Sequence, residues 1–164
     1  MATGDIRPYN TGGHSDISTV TVQTEAAATD ILAGEPVKLK AAGSPYAIPL
    51  ATLDLTIGTD TAMVGIAASA STHTATADGT MEVYLPMPGA QWSMKATTPA
   101  NIDTAAKLLA LQNDRVVMTL AAGIYTLDEN AGDAATSAFY ILGGNPATGE
   151  IYFNIRTDAT ILAA

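Results

Sequence analysis

The chain contains no cysteine, which removes disulfides, thiolate zinc sites and thiol nucleophiles from consideration. It has only two histidines, His14 and His73, and aromatic residues make up 5% of its 164 positions. Neither histidine has a partner at ligand spacing, so both are expected to be solvated loop residues rather than acid/base groups or metal ligands. Positive charge is scarce as well: 7 Lys and Arg stand against 16 Asp and Glu, a formal net charge of −9. That balance opposes binding to a phosphate backbone or an anionic membrane surface. No uninterrupted apolar run reaches the roughly 18 residues of a membrane helix. The first residues show no basic stretch leading into an apolar one, so the expectation is a chain that is made intracellularly and stays soluble. Charged residues total only 14%, leaving a surface rich in Thr, Ser, Ala and Gly that suits contact with other protein.

What is present is strand and turn. Two stretches follow one plan. Tyr46-Ala-Ile-Pro-Leu50, Met63-Val-Gly-Ile-Ala-Ala68 and Gly79-Thr-Met-Glu-Val-Tyr-Leu85 are echoed by Ile124-Tyr-Thr-Leu127, Ala138-Phe-Tyr-Ile-Leu142 and Gly149-Glu-Ile-Tyr-Phe-Asn-Ile155. Each unit gives a short Tyr-bearing strand, an apolar strand, then a Gly turn into an alternating strand. With 48% hydrophobic residues, the chain can bury a core as one domain or two packed halves.

Residues 1–18 hold Gly4, Pro8, Gly12 and Gly13 among polar residues, with Ile6, Tyr9 and Ile17 as possible anchors, and read as an extended arm. Thr19–Thr24 alternates β-branched residues as a first strand should. The alanines of Glu25–Asp30 suggest a helical turn, and Val37 and Leu39 mark the buried face of the next strand. Pro49 assigns Tyr46–Leu50 to a sheet edge. Met63–Ala68, apolar on both faces, fits a covered central strand. Gln91–Ala96 is strand-like and carries the single tryptophan, Trp92. Asn101–Leu111 is the best helix candidate, with Asp103 as its cap and Ala105, Leu108 and Leu109 on one face. Four strands follow, at Arg115–Leu120, Ile124–Leu127, Ala138–Leu142 and Ile151–Ile155. The turn residues Gly143–Gly149 make a hairpin of the last two.

No segment offers catalytic spacing. The acidic Asp128–Asp133 stretch fails the twelve-residue calcium loop and reads as a solvated turn. Gly143–Gly149 lacks the Lys and Ser/Thr ending of a phosphate loop, and Ser44 lacks the nucleophile elbow. No catalytic residue, cofactor or metal ligand is expected. Trp92 with Tyr9, Tyr84, Tyr125, Tyr140 and Tyr152 would serve a core or a subunit contact, or else line a sugar-binding face.

The runs Ala33-Gly-Glu-Pro-Val-Lys-Leu39, Val64-Gly-Ile-Ala-Ala-Ser69 and Gly79-Thr-Met-Glu-Val-Tyr-Leu85 together resemble the head decoration, or cement, proteins of tailed bacteriophages. The resemblance covers about residues 19 to 96, with a looser echo to the C-terminus. It implies a mainly β fold, a small β-barrel or β-tulip with a short helix and an extended N-terminal arm. The implied layout is an arm over 1–18, a core over 19–96 and a C-terminal β half over 97–164 packed on that core. It further implies a structural protein of the virion, made in the host cytoplasm. Such a protein sits on the outer capsid surface, commonly as a homotrimer, and bridges subunits of the major capsid protein. In that setting Ile6, Arg7, Pro8 and Tyr9 of the arm would contact the capsid, Ile6 and Tyr9 in apolar pockets and Arg7 at an acidic group. Trp92 would serve a subunit interface. A carbohydrate-binding or adhesion module built on Trp92 is the alternative, and a hydrolytic enzyme the least supported.

Overall fold

The computed structural model describes residues 6–10, 17–41, 43–50, 63–130 and 137–156. Over these the alternating segments pair as antiparallel strands, and the mainly β expectation holds. The strands are β1 (Arg7–Asn10), β2 (Thr19–Thr24), β3 (Pro36–Leu39), β4 (Ala47–Pro49), β5 (Met63–Ala67), β6 (Gly79–Tyr84), β7 (Gln91–Lys95), β8 (Arg115–Ala121), β9 (Ile124–Asp128), β10 (Phe139–Asn145) and β11 (Glu150–Ile155). A 3-10 turn (Pro99–Asn101) and the helix α1 (Ala105–Ala110) lie between β7 and β8.

Two sheets result, ordered β2-β6-β5-β3-β4 and β1-β7-β11-β10-β8-β9. Setting β1 aside, the second order is the first repeated, with β7 for β2, β8 for β3, β9 for β4, β10 for β5 and β11 for β6. The registers agree row by row. Thr19, Tyr84, Ile66 and Pro36 lie side by side across the first sheet, as Gln91, Asn154, Tyr140 and Arg115 do across the second. Each sheet also curls back to meet itself at one parallel bridge, Gln23 with Tyr46 and Ala96 with Leu127. These returns are single bridges, so neither sheet forms a continuous barrel ladder among the described residues. The echo in the sequence is thus a repeated topology. The division between sheets falls after β6, which places β7, from the end of the expected 19–96 core, with the C-terminal strands.

The halves meet through β5. All five of its residues are buried. Val64 and Ala67 join a small cluster with Ile31, Val37, Met81 and Val83, while Met63 and Ile66 join the larger core of the second sheet around Trp92, Phe139, Phe153 and Met118. A strand covered on both sides must be apolar on both sides. Gly65 allows the close approach to β6: a Cβ there would lie 2.1 Å from the Tyr84 carbonyl oxygen and 2.7 Å from Val83 Cγ1. Tyr125 ties the halves directly, its buried hydroxyl donating to the Leu50 carbonyl at 3.0 Å.

Several local expectations are corrected. Arg7–Asn10, within the expected arm, is a strand of the six-stranded sheet. Glu25–Asp30 forms a turn with Ala27 at φ 56° instead of a helical turn. Thr104, not Asp103, caps α1, accepting from the Lys107 amide at 3.3 Å. Asp103 instead pairs with Lys107 Nζ at 2.8 Å. Leu108 is buried but Leu109 is 69% exposed, because the helix rests on the sheet by one narrow stripe.

Replacing Gly65 with Ala drives a methyl group into fixed backbone and is expected to cost about 1–3 kcal/mol, read as a lowered thermal midpoint. Burial, with the nearby Glu35 charge, pushes the Tyr125 hydroxyl up to about 12, against about 10 in an unfolded chain. Its contribution to stability is therefore complete below about pH 10 and is lost as pH rises from there through about 12. Tyr125→Phe should shallow that alkaline decline in urea titrations, while costing about 1–2 kcal/mol at neutral pH because the Leu50 carbonyl loses its donor.

Candidate functional site

Strand alternation gives the six-stranded sheet two unlike faces. Trp92, Met94, Val116, Phe139, Ile141, Ile151 and Phe153 point into the core and are buried. The opposite face carries Arg7, Tyr9, Gln91, Ser93, Arg115, Tyr140, Tyr152 and Asn154, all partly or largely exposed. Two register rows build it. Arg7, Ser93 and Tyr152 stand side by side, and beside them run Asn10, Gln91, Asn154, Tyr140 and Arg115.

Ring contacts fix the geometry of this face. Tyr9 stacks on Tyr152 with centroids 3.8 Å apart and planes 11° apart. Arg156, just past β11, places its guanidinium 5.7 Å from the Tyr140 ring centre and keeps its place through Arg156 N–H to the Ala138 carbonyl at 2.9 Å. Such cation–aromatic pairs contribute about 0.5–1 kcal/mol where exposed. Burial, then the neighbouring Tyr9, raises the Tyr152 hydroxyl above the usual tyrosine range. Asn154 Oδ1, beneath these side chains, is buried and has no hydrogen-bond partner among the described residues.

The chain has only three arginines, Arg7, Arg115 and Arg156, and this face gathers them all, together with three of the six tyrosines. On a chain of net charge −9, that is a local inversion of composition. The chemistry it offers is planar donation to carboxylates or peptide carbonyls and stacking against apolar or planar groups.

The residues expected to act from the arm divide. Arg7, Pro8 and Tyr9 are exposed on β1. Ile6 is 2% exposed in the protein's own core, its amide donating to the Gly34 carbonyl at 3.2 Å; it does not enter a partner's pocket in this arrangement. Trp92 is fully buried, 6.2 Å from the Tyr84 ring and tilted to it. It presents no surface to a subunit or a sugar, because it shares the inward parity of Met94 beneath β1 and β11.

Sequence reasoning missed two polar clusters. Glu129, expected in a solvated turn, is 4% exposed. Its carboxylate accepts from the Thr98 amide at 3.1 Å, Asn101 Nδ2 at 3.0 Å and Asn130 Nδ2 at 3.1 Å, so it clamps the 3-10 turn to the end of β9. The rest of that acidic stretch, 131–133, lies outside the described residues, as does His14. His73, expected to be solvated, has a side chain only 3% exposed, with Nε2 bonded to the Ala28 carbonyl at 2.9 Å. Asp78 accepts from the Ala26 amide and from the Tyr46 hydroxyl at 2.8 Å each. Those bonds hold the carboxylate below its usual range and raise the tyrosine. No signal in the local sequence marks any of these, since every partner named except Asn130, next to Glu129, lies more than 25 residues away. Among the described residues no group of three or more His, Asp or Glu side chains is placed to hold a metal ion.

The wholly buried indole makes a direct check: Trp92 fluorescence should be blue-shifted and resist acrylamide quenching in the native protein, then become quenchable in denaturant. Comparison with known proteins identifies no relative: no family model, no curated protein and no solved structure matches the chain.

Proposed function

We propose that this chain is a structural protein that docks by its Tyr/Arg face onto the outer surface of a viral capsid and bridges major capsid protein subunits. The observation that carries the reading is the gathering of Arg7, Arg115 and Arg156 with Tyr9, Tyr140 and Tyr152 on one rigid sheet face. Tyr and Arg dominate the energetics of protein interfaces because they bring large area and directional donors at low entropic cost. An acidic chain docking on another polypeptide gains from cations where contact occurs, and three of its seven, all the arginines, lie on this face. The likeness of the 33–85 motifs to phage decoration proteins supplies the partner class.

The arm enters this reading in altered form. Ile6 stays in the protein's own core and anchors β1, while Arg7 and Tyr9 reach outward as part of the docking face. A homotrimer would multiply such contacts by avidity, given matching spacing on the shell. Burial of Trp92 takes away the aromatic on which a sugar-binding reading rested.

Arg7→Glu and Tyr9→Ala should each weaken co-sedimentation with expanded shells of the cognate major capsid protein by about thirtyfold, the scale of a 2 kcal/mol interface anchor. Lys38→Glu, in the other sheet, should leave it unchanged. Wild-type sedimentation by both face variants, with circular dichroism showing intact folds, overturns the assignment of this face.

A further inference from the structure

The repeated topology sets a filled site beside an open one. In the second sheet the outer edge of β7 holds β1, paired antiparallel with Arg7 opposite Ser93 and Pro8 opposite Trp92. In the first sheet the matching strand is β2, with Thr21 in the place of Ser93, Val20 in that of Trp92 and Glu82 in that of Tyr152. Among the described residues β2 pairs with β6 along its length and meets another segment on its outer side only at Gln23. The difference shows in burial: Trp92 is fully covered, whereas Val20 is 38% exposed. Backbone polarity agrees. The Ser18 carbonyl accepts from Leu85 on the β6 side, so by ladder alternation the amides of Thr19, Thr21 and Gln23 face outward.

We infer that the outer edge of β2 is a docking site for an extended, basic segment of another polypeptide, which adds antiparallel to Thr19–Thr21 as β1 adds to Gln91–Ser93 of β7. The exposed Val20 asks for an apolar residue opposite it, as Pro8 of β1 provides opposite Trp92. The charge comes from Glu82, which stands in the row that Arg7 and Ser93 occupy in the other sheet. Its carboxylate accepts from the Thr21 hydroxyl at 2.6 Å and forms no ion pair among the described residues. A basic side chain from an added strand would fall in that row. The occupant is another chain's segment because this protein's own β1 is retained by Ile6 in the core and by the Tyr9–Tyr152 stack. Strand addition of this kind takes affinity from main-chain bonds and selectivity from alternate side chains. The inference does not depend on the capsid reading.

The test uses the full chain and a labelled peptide Gly-Ile-Arg-Pro-Tyr-Asn-Gly, which carries the sequence of Ile6–Asn10. The peptide should bind saturably and slow the hydrogen exchange of the Thr19 and Thr21 amides. Thr21→Pro removes an outward amide at an edge position that tolerates proline and should weaken binding at least about tenfold, by loss of ladder bonds. Glu82→Lys should weaken it about three- to fivefold, as an exposed charge pair does, and a peptide with Glu in place of its Arg should restore it. That charge exchange decides the matter even if Thr21→Pro fails to fold. Three results overturn the inference: no binding at millimolar peptide, equal binding by wild type and Thr21→Pro, or self-association of the wild type that Thr21→Pro abolishes, which would give the edge to a second copy.

Discussion

The unpaired edge of a β-strand is the constraint on which this structure depends. A strand leaves half of its backbone donors and acceptors pointing away from its partner, and those groups must find bonds, water or another chain. Here the first and third strands of each half curl toward each other until they touch, at Gln23 with Tyr46 and at Ala96 with Leu127. Threonine hydroxyls reinforce the second seam: Thr97 Oγ1 lies 2.8 Å from Thr126 Oγ1 and donates to the Leu127 carbonyl at 3.1 Å. Pro49 blunts β4, since it has no amide to leave unpaired. The outer edge of β7 is covered by β1, whereas among the described residues that of β2 meets another segment only at Gln23.

Rigidity follows from how the halves share β5. Because that strand belongs to both cores, neither sheet can tilt without opening packed apolar surface, at about 25 cal/mol per Å² exposed. The Tyr125 hydroxyl on the Leu50 carbonyl and the buried Glu129 clamp add directional bonds to that packing. The outward face of the second sheet is therefore a fixed plate, on which Tyr9 is stacked against Tyr152 and Arg156 lies over Tyr140. For the proposed docking, such preorganisation would lower the ordering cost. The same plate explains why Ile6 sits inside: it secures the strand that carries Arg7 and Tyr9 outward.

Much of the fold was legible because β alternation writes burial directly into sequence. The apolar run Met63–Ala67 announced a strand covered on both faces, Pro49 announced an edge, and Gly143–Gly149 announced the β10–β11 hairpin, which Gly149 closes at φ +67°. The echo between 46–85 and 124–155 announced a repeated topology, although the pairing order could not be read from it. What alternation cannot tell is which strand lies alongside. Gln91-Trp-Ser-Met-Lys95 shows Trp92 and Met94 on one face but not that β1 and β11 flank it, so the tryptophan read as a possible interface residue. The Tyr/Arg face was invisible for the same reason: its arginines lie at positions 7, 115 and 156, and only the register brings them together. Glu129 and His73 looked solvated because their partners, Asn130 apart, lie 28 to 45 residues away.

Residue-resolved hydrogen exchange on the isolated protein tests most directly the repeated topology, in which β1 fills the edge of β7 and the matching edge of β2 is open among the described residues. Ser93 and Thr21 occupy equivalent positions in the two sheets, and both amides face outward. The account predicts that Ser93, covered by β1, exchanges far more slowly than Thr21. Equal protection of the two, or faster exchange at Ser93, would contradict it.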